Sequence, residues 1–439
     1  MSSRKHRLAV LDPGNPGRDR PHMGSSNTIG EEEKHQVLEV LESGVLSGFL
    51  AEPGPLFLGG PKVRQLEDEI CNYFGCRYAV LFNSATSALH AAVAAAGVRT
   101  CDEVITSPYS MSASATCVVM QGGVPVFADV DPQTFCIDPA EVGRNVNERT
   151  RAVIPVHLYG QPADLDGIAA AAPGTVIIED NAQAAGARYR GRLAGTIGHI
   201  GVLSFNRHKA IQCGEGGAAL TDDEDLAMKM RLVRNHGEAV VGEWTDLSQV
   251  EQYDDTVGWN YRPTEMQAAV GLAQMRKLDR LNAHRQEIAH YLDEHLAQFD
   301  FIERPVIGAG RTHVYYFYAM RFLAARLGLR RDTVVRAVRA EGLDARGGHY
   351  RPIYLLPLFQ RRPRSFHGVR CAGYSGSVDY GRGTCPVAER LYFEEVMLTK
   401  IVQYPTPIDE AQRFVDVIET ISDSVTELRE LEDRAVGGE

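Results

Sequence analysis

Between residues 78 and 220 of this 439-residue chain, short apolar runs alternate with helical segments, and that alternation limits the possible folds more than any other feature. Runs at 78–82 (YAVLF), 102–108 (DEVITSP), 124–131 (VPVFADVD), 151–160 (RAVIPVHLYG), 175–180 (TVIIED), 200–205 (IGVLSF) and 216–220 (GGAAL) read as strands. Segments at 83–98, 110–123 and 164–172 between them read as helices, the first rich in alanine. Near-continuous apolar strands separated by helices predict an α/β architecture with a mostly parallel sheet covered on both faces. Ligands of such sheets gather at the carboxyl ends of the strands.

Around this core the chain divides into three parts. Residues 1–29 read as a flexible tail, 30–280 as a large domain and 281–439 as a smaller C-terminal α/β domain. Residues 30–43 and 62–74 are amphipathic helices, the second stopped by Gly75. The loop between them is unusually apolar for its glycine and proline content, so it covers something or meets a partner subunit. After an irregular polar loop at 237–255, Pro263 opens one long helix that links the domains. A strand at 313–322, a helix at 332–341 and a further strand follow, and residues 360–384 form a long surface loop.

Composition excludes several classes. Lys and Arg total 46 against 57 Asp and Glu, a net charge of −11 that argues against nucleic acid as a partner. No apolar run approaches the roughly 20 residues of a membrane helix, and the N-terminus has no secretory core. The eight cysteines form no C-x-x-C pair, so neither a metal site nor a disulfide framework is expected, and reduced cytoplasmic thiols are.

Four features fall at strand carboxyl ends. Lys209 stands in the loop SFNRHKAIQCGEGG after the strand at 200–205, where desolvation turns a lysine into an amine nucleophile. The turn Asn83-Ser84-Ala85-Thr86-Ser87 opens a helix whose free N–H groups suit a phosphate. The strand at 175–180 ends in Asp180, which can accept the N–H of a protonated pyridine as pyridoxal phosphate requires, with Gln183 one turn on beside a ring oxygen. Ser204 offers a further hydroxyl to the phosphate, and the cluster at 258–262 (GWNYR) precedes the long helix. Each has an ordinary alternative: a solvated lysine, an N-cap, an Asp-capped turn, an aromatic staple. Jointly they describe one cofactor.

The motifs LFLGGPKVRQLE, NSATSALHAA, IIEDNAQAAGARYRG, VLSFNRHKAIQCGEGGAAL, RNHG, GWNYRPTEMQAAVGLAQ, HYRPIY and CPVAERL run in order from about residue 30 to 420. The chain thereby resembles the DegT/DnrJ/EryC1/StrS sugar aminotransferases, pyridoxal-phosphate enzymes of fold type I. The resemblance implies a seven-stranded large-domain sheet and a homodimer with active sites at the interface. It assigns Lys209 as the Schiff-base lysine, Asp180 to the pyridine nitrogen and Gln183 to the ring hydroxyl. Ala85, Thr86 and Ser204 then hold the phosphate, and Asn260 reaches the phosphate of the neighbouring subunit. An aromatic ring usually covers the cofactor where this chain has Met111, so either Met111 packs there through its sulfur or Tyr109 substitutes. His349 and Tyr350 match a segment near the substrate pocket. The implied reaction moves an amino group from glutamate or glutamine to a nucleotide-linked keto-sugar or a cyclitol ketone, as in natural-product or surface-glycan synthesis. Two rivals depart from the pattern: a sugar dehydratase carries histidine in place of Lys209, with His208 one position out of register. A cofactor-binding regulator needs a winged-helix module that 29 residues cannot hold.

Overall fold

The computed structural model describes residues 7–12, 27–51, 54–237, 256–361 and 378–436. The polar loop expected at 237–255 and most of the loop at 360–384 lie outside these residues.

The large sheet has seven strands: β1 Tyr78–Phe82, β2 Glu103–Thr106, β3 Val124–Phe127, β4 Thr150–Ile154, β5 Val176–Asp180, β8 Ile200–Ser204 and β9 Gly217–Thr221, with the hairpin β6 Arg188–Tyr189 and β7 Arg192–Leu193 outside it. Their order across the sheet is β1-β9-β8-β5-β4-β2-β3. All neighbours run parallel except β9, which pairs antiparallel with both β1 and β8. Strands β2, β3, β8 and β9 are buried along their whole length, as helices on both faces require.

Helices α1 Glu31–Ser43 and α2 Pro61–Phe74 precede the sheet; α3 Ala85–Ala95, α4 Ala113–Met120, α5 Pro139–Asn145, α6 Leu165–Ala171 and α7 Glu224–Arg234 alternate with its strands. α3 begins at Ser84, whose hydroxyl accepts the Ser87 N–H at 3.1 Å. Its alanine-rich body lets it pack into the core that holds Val80, Ile154 and Val202.

The single long helix expected after Pro263 is two: α8 Glu265–Met275 and α9 Leu278–Leu296. Apolar periodicity continues on both sides of the break, so it is invisible in sequence. At the junction the buried Lys277 ammonium donates to Glu33 of α1 at 2.7 Å. The strand expected at 313–322 starts only at Tyr318.

The smaller sheet, ordered β10 Ile302–Glu303, β11 Tyr318–Phe322, β13 Val396–Thr399 and β12 Arg346–Gly347, is antiparallel throughout. Helices α10 Arg331–Ala340 and α11 Ile408–Asp423 bury Val334, Val338, Phe414 and Ile418 in one core with Met320 and Met397. Part of the expected loose tail belongs to this core. Leu8 is fully buried in it, and the Ala9 N–H donates to Glu341 at 2.6 Å. Val10 and Leu11 pack against the same core, but a run of four apolar residues, Leu8 to Leu11, is too short to show a helical or strand period in sequence. Cys101 is disulfide-bonded, against the expectation of reduced thiols throughout; chain spacing does not report which sulfurs meet in space. Cys71, Cys76, Cys117, Cys136, Cys213 and Cys385 are free. Among the described residues no helix is long and apolar enough to cross a membrane.

Candidate active site

The last two residues of β5 are both carboxylates, and strand alternation sends them to opposite faces of the sheet. Glu179 points into the protein and is fully buried. Its Oε1 accepts the N–H groups of Ile197 (2.7 Å) and Gly198 (2.6 Å), and its Oε2 accepts from Gly195 (2.7 Å) and from His157 Nε2 (2.8 Å). The Ala163 N–H donates to His157 Nδ1 at 3.1 Å, which leaves the ring proton on Nε2. Burial alone would push this carboxyl up, but His157 and the backbone amides hold it below the usual carboxylate range.

Asp180 lies on the other face and keeps 4% of its surface. Ser114 of α4 donates to its Oδ2 at 2.7 Å and the Ala182 N–H to its Oδ1 at 3.2 Å, which fixes the carboxylate and leaves further lone pairs open. The adjoining backbone is tied to both neighbouring strands. The Asp180 N–H donates to Pro155, the His157 N–H to the Asp180 carbonyl and the Asn181 N–H to Val202.

Lys209 rides on the loop joining β8 to β9. Its residue surface is partly exposed, but its Nζ turns inward to 4.7 Å from the Tyr316 ring centroid. Burial of the amine pushes its pKa down to about 8; the Asp180 charge works against that fall and the Lys400 charge adds to it. Among the described residues this Nζ meets no hydrogen-bond acceptor. At the foot of the same loop Ser204 pairs with Gly217 across β8 and β9. A Cβ on Gly217 would sit 2.5 Å from the Ala85 nitrogen, so only glycine lets the sheet approach the start of α3 so closely. The N–H groups of Ala85 and Thr86 have no acceptor among the described residues, and with Ser204 they form an anion cradle at a helix N-terminus.

A wall of aromatic rings closes the side opposite the sheet. Gln183 accepts the Tyr159 N–H at 3.0 Å and donates to the Tyr350 hydroxyl at 3.3 Å. Tyr350 stacks on Tyr159 and meets His349 with centroids 4.2 Å apart. Tyr109 is fully enclosed, its hydroxyl 3.3 Å from that of Tyr159 and its ring edge-on to Tyr350. Met111, just before α4, is 58% exposed. Burial, then the charges of Arg346, Lys400 and Lys209, push His349 down to about 4, so it is neutral at physiological pH. His208 is exposed, its Nε2 accepting from Arg207 at 3.3 Å. Asn260 is exposed too; its backbone bridges Asn235, and its Oδ1 accepts from Arg262 at 3.0 Å.

The structure thus gathers Asp180, Gln183 and Lys209 near Tyr350 and His349, and sets Ala85, Thr86 and Ser204 at the adjoining cradle. Sequence reasoning missed Ser114, Glu179, His157, Tyr316 and Lys400. A signal existed for Glu179 alone: two carboxylates in succession on a strand cannot both face the ligand. The others come from elements remote in sequence.

A family model for the DegT/DnrJ/EryC1/StrS aminotransferases matches residues 27–370. The chain is 34% identical over 360 residues to the spore coat polysaccharide biosynthesis protein SpsC of Bacillus subtilis, covering 81% of this chain and 89% of that one. It is 35% identical over 328 residues to GDP-perosamine synthase of Caulobacter vibrioides, covering 74% and 83%. Its fold is similar to that of S. venezuelae DesV, solved in complex with a ketimine intermediate, with a TM-score of 0.75 and 30% identity over 89% of this chain and 94% of that one. With the site geometry and three independent likenesses in agreement, the chain belongs to the DegT/DnrJ/EryC1/StrS aminotransferase family.

Proposed function

We propose that this aminotransferase carries pyridoxal phosphate on Lys209 and moves an amino group from glutamate or glutamine to a nucleotide-linked keto-sugar or a cyclitol ketone. The observation that carries the reading is a buried amine, depressed to about 8, under the influence of the fixed Asp180 carboxylate. The residues fit the cofactor on three counts: a helix start near Ser204 whose Ala85 and Thr86 N–H groups meet no acceptor among the described residues, for its phosphate; an oriented carboxylate for its ring nitrogen; and an amine with no hydrogen-bond acceptor among the described residues for its aldehyde. Bound there, pyridoxal phosphate supplies an electron sink for charge developing on the carbon next to the transferred nitrogen.

The chain's own residues do the rest. Asp180, held by Ser114, accepts a ring N–H and keeps that nitrogen protonated. The Lys209 amine, which burial brings closer to neutral pH, takes a proton from the donor's α-carbon and returns it to the cofactor side. Met111, 58% exposed while Tyr109 is enclosed, is the residue we assign to cover the ring. The name of GDP-perosamine synthase, a relative at 35% identity, favours a nucleotide-linked acceptor.

The same reading includes a cytoplasmic homodimer. Leu38, Leu41, Val45, Leu46, Leu50 and Leu56 are exposed together along α1 and the loop that follows, an apolar face that a second copy would bury. Exposed Asn260 is then available to the partner's phosphate.

Borohydride treatment followed by peptide mass mapping tests the central assignment. A pyridoxyl group on residue 209, with a visible absorption band that glutamate bleaches, is expected. Protein that binds pyridoxal phosphate without labelling Lys209 would refute it.

A further inference from the structure

The loop that carries Lys209 is tied to α8, and the tie runs on from there to the segment that precedes α1. Gln267 and Gln274 stand two helical turns apart on α8 and so share one of its faces. Gln267 Nε2 donates to the Glu215 carbonyl at 2.8 Å, and Gln274 Oε1 accepts the Gln212 N–H at 3.4 Å. Both bonds grip the stem that follows Lys209. Glu215 Oε1 in turn accepts from Asn206 Nδ2 of the other stem at 2.9 Å, and Ile211 is buried in one core with Leu272 and Met275 of α8. Gln274 is fully buried, and the groups around its nitrogen decide which way its carboxamide points. Nε2 donates to Glu33 Oε1 at 2.7 Å and to the Thr28 carbonyl at 3.0 Å. Burial raises the Glu33 carboxyl, but bonds from Lys277, Gly30 and Gln274 bring it below the usual carboxylate range, so it accepts only. The Gln274 oxygen is thereby turned towards the loop, where the Thr28 hydroxyl shares it at 2.9 Å.

From this geometry we infer that Gln274 is a positioning residue for Lys209: Thr28 and Glu33 aim its carboxamide oxygen at the Gln212 N–H, and that bond sets the tilt of the loop on which the amine stands. The inference rests on Lys209 as the reactive amine. The rungs within the hairpin, Phe205 to Gly216 and Arg207 to Gly214, fix its shape but not its angle to α8. Contacts from outside the hairpin must set that angle, and proton transfer is sensitive to displacements of a fraction of an ångström at the amine. Gln274 touches neither cofactor nor substrate and acts through Gln212. Residues at the start of the described chain thus contribute to the placement of a group that lies far from them in sequence.

Hydrogen exchange by mass spectrometry on the full-length apoprotein, together with the rate at which pyridoxal phosphate becomes trapped on residue 209 by borohydride, tests the inference. Gln274→Met keeps the side-chain volume and removes the carboxamide. Its peptide covering residues 206–216 should exchange about fivefold faster, as loss of a buried hydrogen bond implies. Trapping at residue 209 should slow about tenfold, as a displaced amine implies. kcat should fall with it while the glutamate KM stays within about twofold, because the bond serves the reaction and not donor binding. Thr28→Val removes only the hydroxyl, on a partly exposed segment, and should move exchange and trapping in the same direction by about two- to threefold. A lower urea midpoint in Gln274→Met with wild-type trapping and kcat would make Gln274 structural only and overturn the inference. Should Gln274→Met fail to fold, Thr28→Val decides, and wild-type exchange and trapping in that variant overturn the inference equally. A failed cofactor assignment gives a different result: wild-type residue 209 goes unlabelled, while the exchange difference, read without cofactor, persists.

Discussion

Glu179 and Asp180 are neighbours on one strand, yet they live in opposite electrostatic worlds. Glu179 has four donors on its two oxygens and no access to water; every demand it makes is met within the fold. Asp180 has two donors and spare lone pairs, and it acts on an amine that has no acceptor among the described residues. The contrast teaches how a site is made: one face of a sheet is saturated to hold the backbone, and the other is left short of partners so that a ligand completes it.

The comparison breaks most severely if the mouth proves structural. Lys209→Ala should lower transamination by about 10⁴-fold or more while the urea midpoint is maintained, since among the described residues the amine has no hydrogen-bond acceptor and its contact is with the Tyr316 ring. Wild-type-like turnover in steady-state assays of that variant would erase the distinction. On the rear face the expectation reverses. Glu179→Ala strands the His157 N–H and three backbone N–H groups in a dry interior, and should cost about 3–5 kcal/mol in denaturant unfolding. A loss under about 1 kcal/mol would mean that water reaches the cavity and that Glu179 is not the anchor described.

Asp180→Asn sharpens the contrast, because it keeps shape and removes charge. Single-turnover rates should fall about 10²–10³-fold with little change in melting temperature. A large drop in stability with normal rates would assign the residue to the fold instead. The smallest effect concerns protons. Burial sets the Lys209 pKa at about 8, below the ordinary 10.5. Without cofactor, the unfolded chain therefore binds more protons than the folded one between these values. Stability of the apoprotein should rise with pH from about 8 towards 10.5, and Lys209→Met should abolish that increment and be the more stable protein at pH 7. Parallel pH profiles for the two proteins would contradict the burial of the amine.

Much of this was legible from the chain. The strand and helix alternation reports burial on both faces, and it placed all seven strands of the large sheet, because apolar runs of that length have few other uses. Lys209, Asp180, Gln183 and Ser204 were legible as candidates because each lies at a strand end or in the loop that leaves it. Ser114, Tyr316 and Lys400 were not, since only tertiary packing brings α4 and the small sheet to Asp180 and Lys209. The break at Arg276 and Lys277 was hidden for a related reason. The apolar spacing runs on across the junction, and the ion pair from Lys277 to Glu33 that forms there leaves no mark on hydrophobic periodicity. The docking of Leu8, Val10 and Leu11 was hidden because so short an apolar run shows no period.

The reversed strand β9 has a consequence for how Lys209 is held. Because β8 and β9 are antiparallel neighbours, the lysine sits on a hairpin whose two stems are laced by Phe205 to Gly216, Cys213 to Phe205 and Arg207 to Gly214. A parallel crossover would have hung it on a helix free to shift. Here the attachment point is clamped from both sides within a few residues, which holds that amine in a fixed relation to the strand floor.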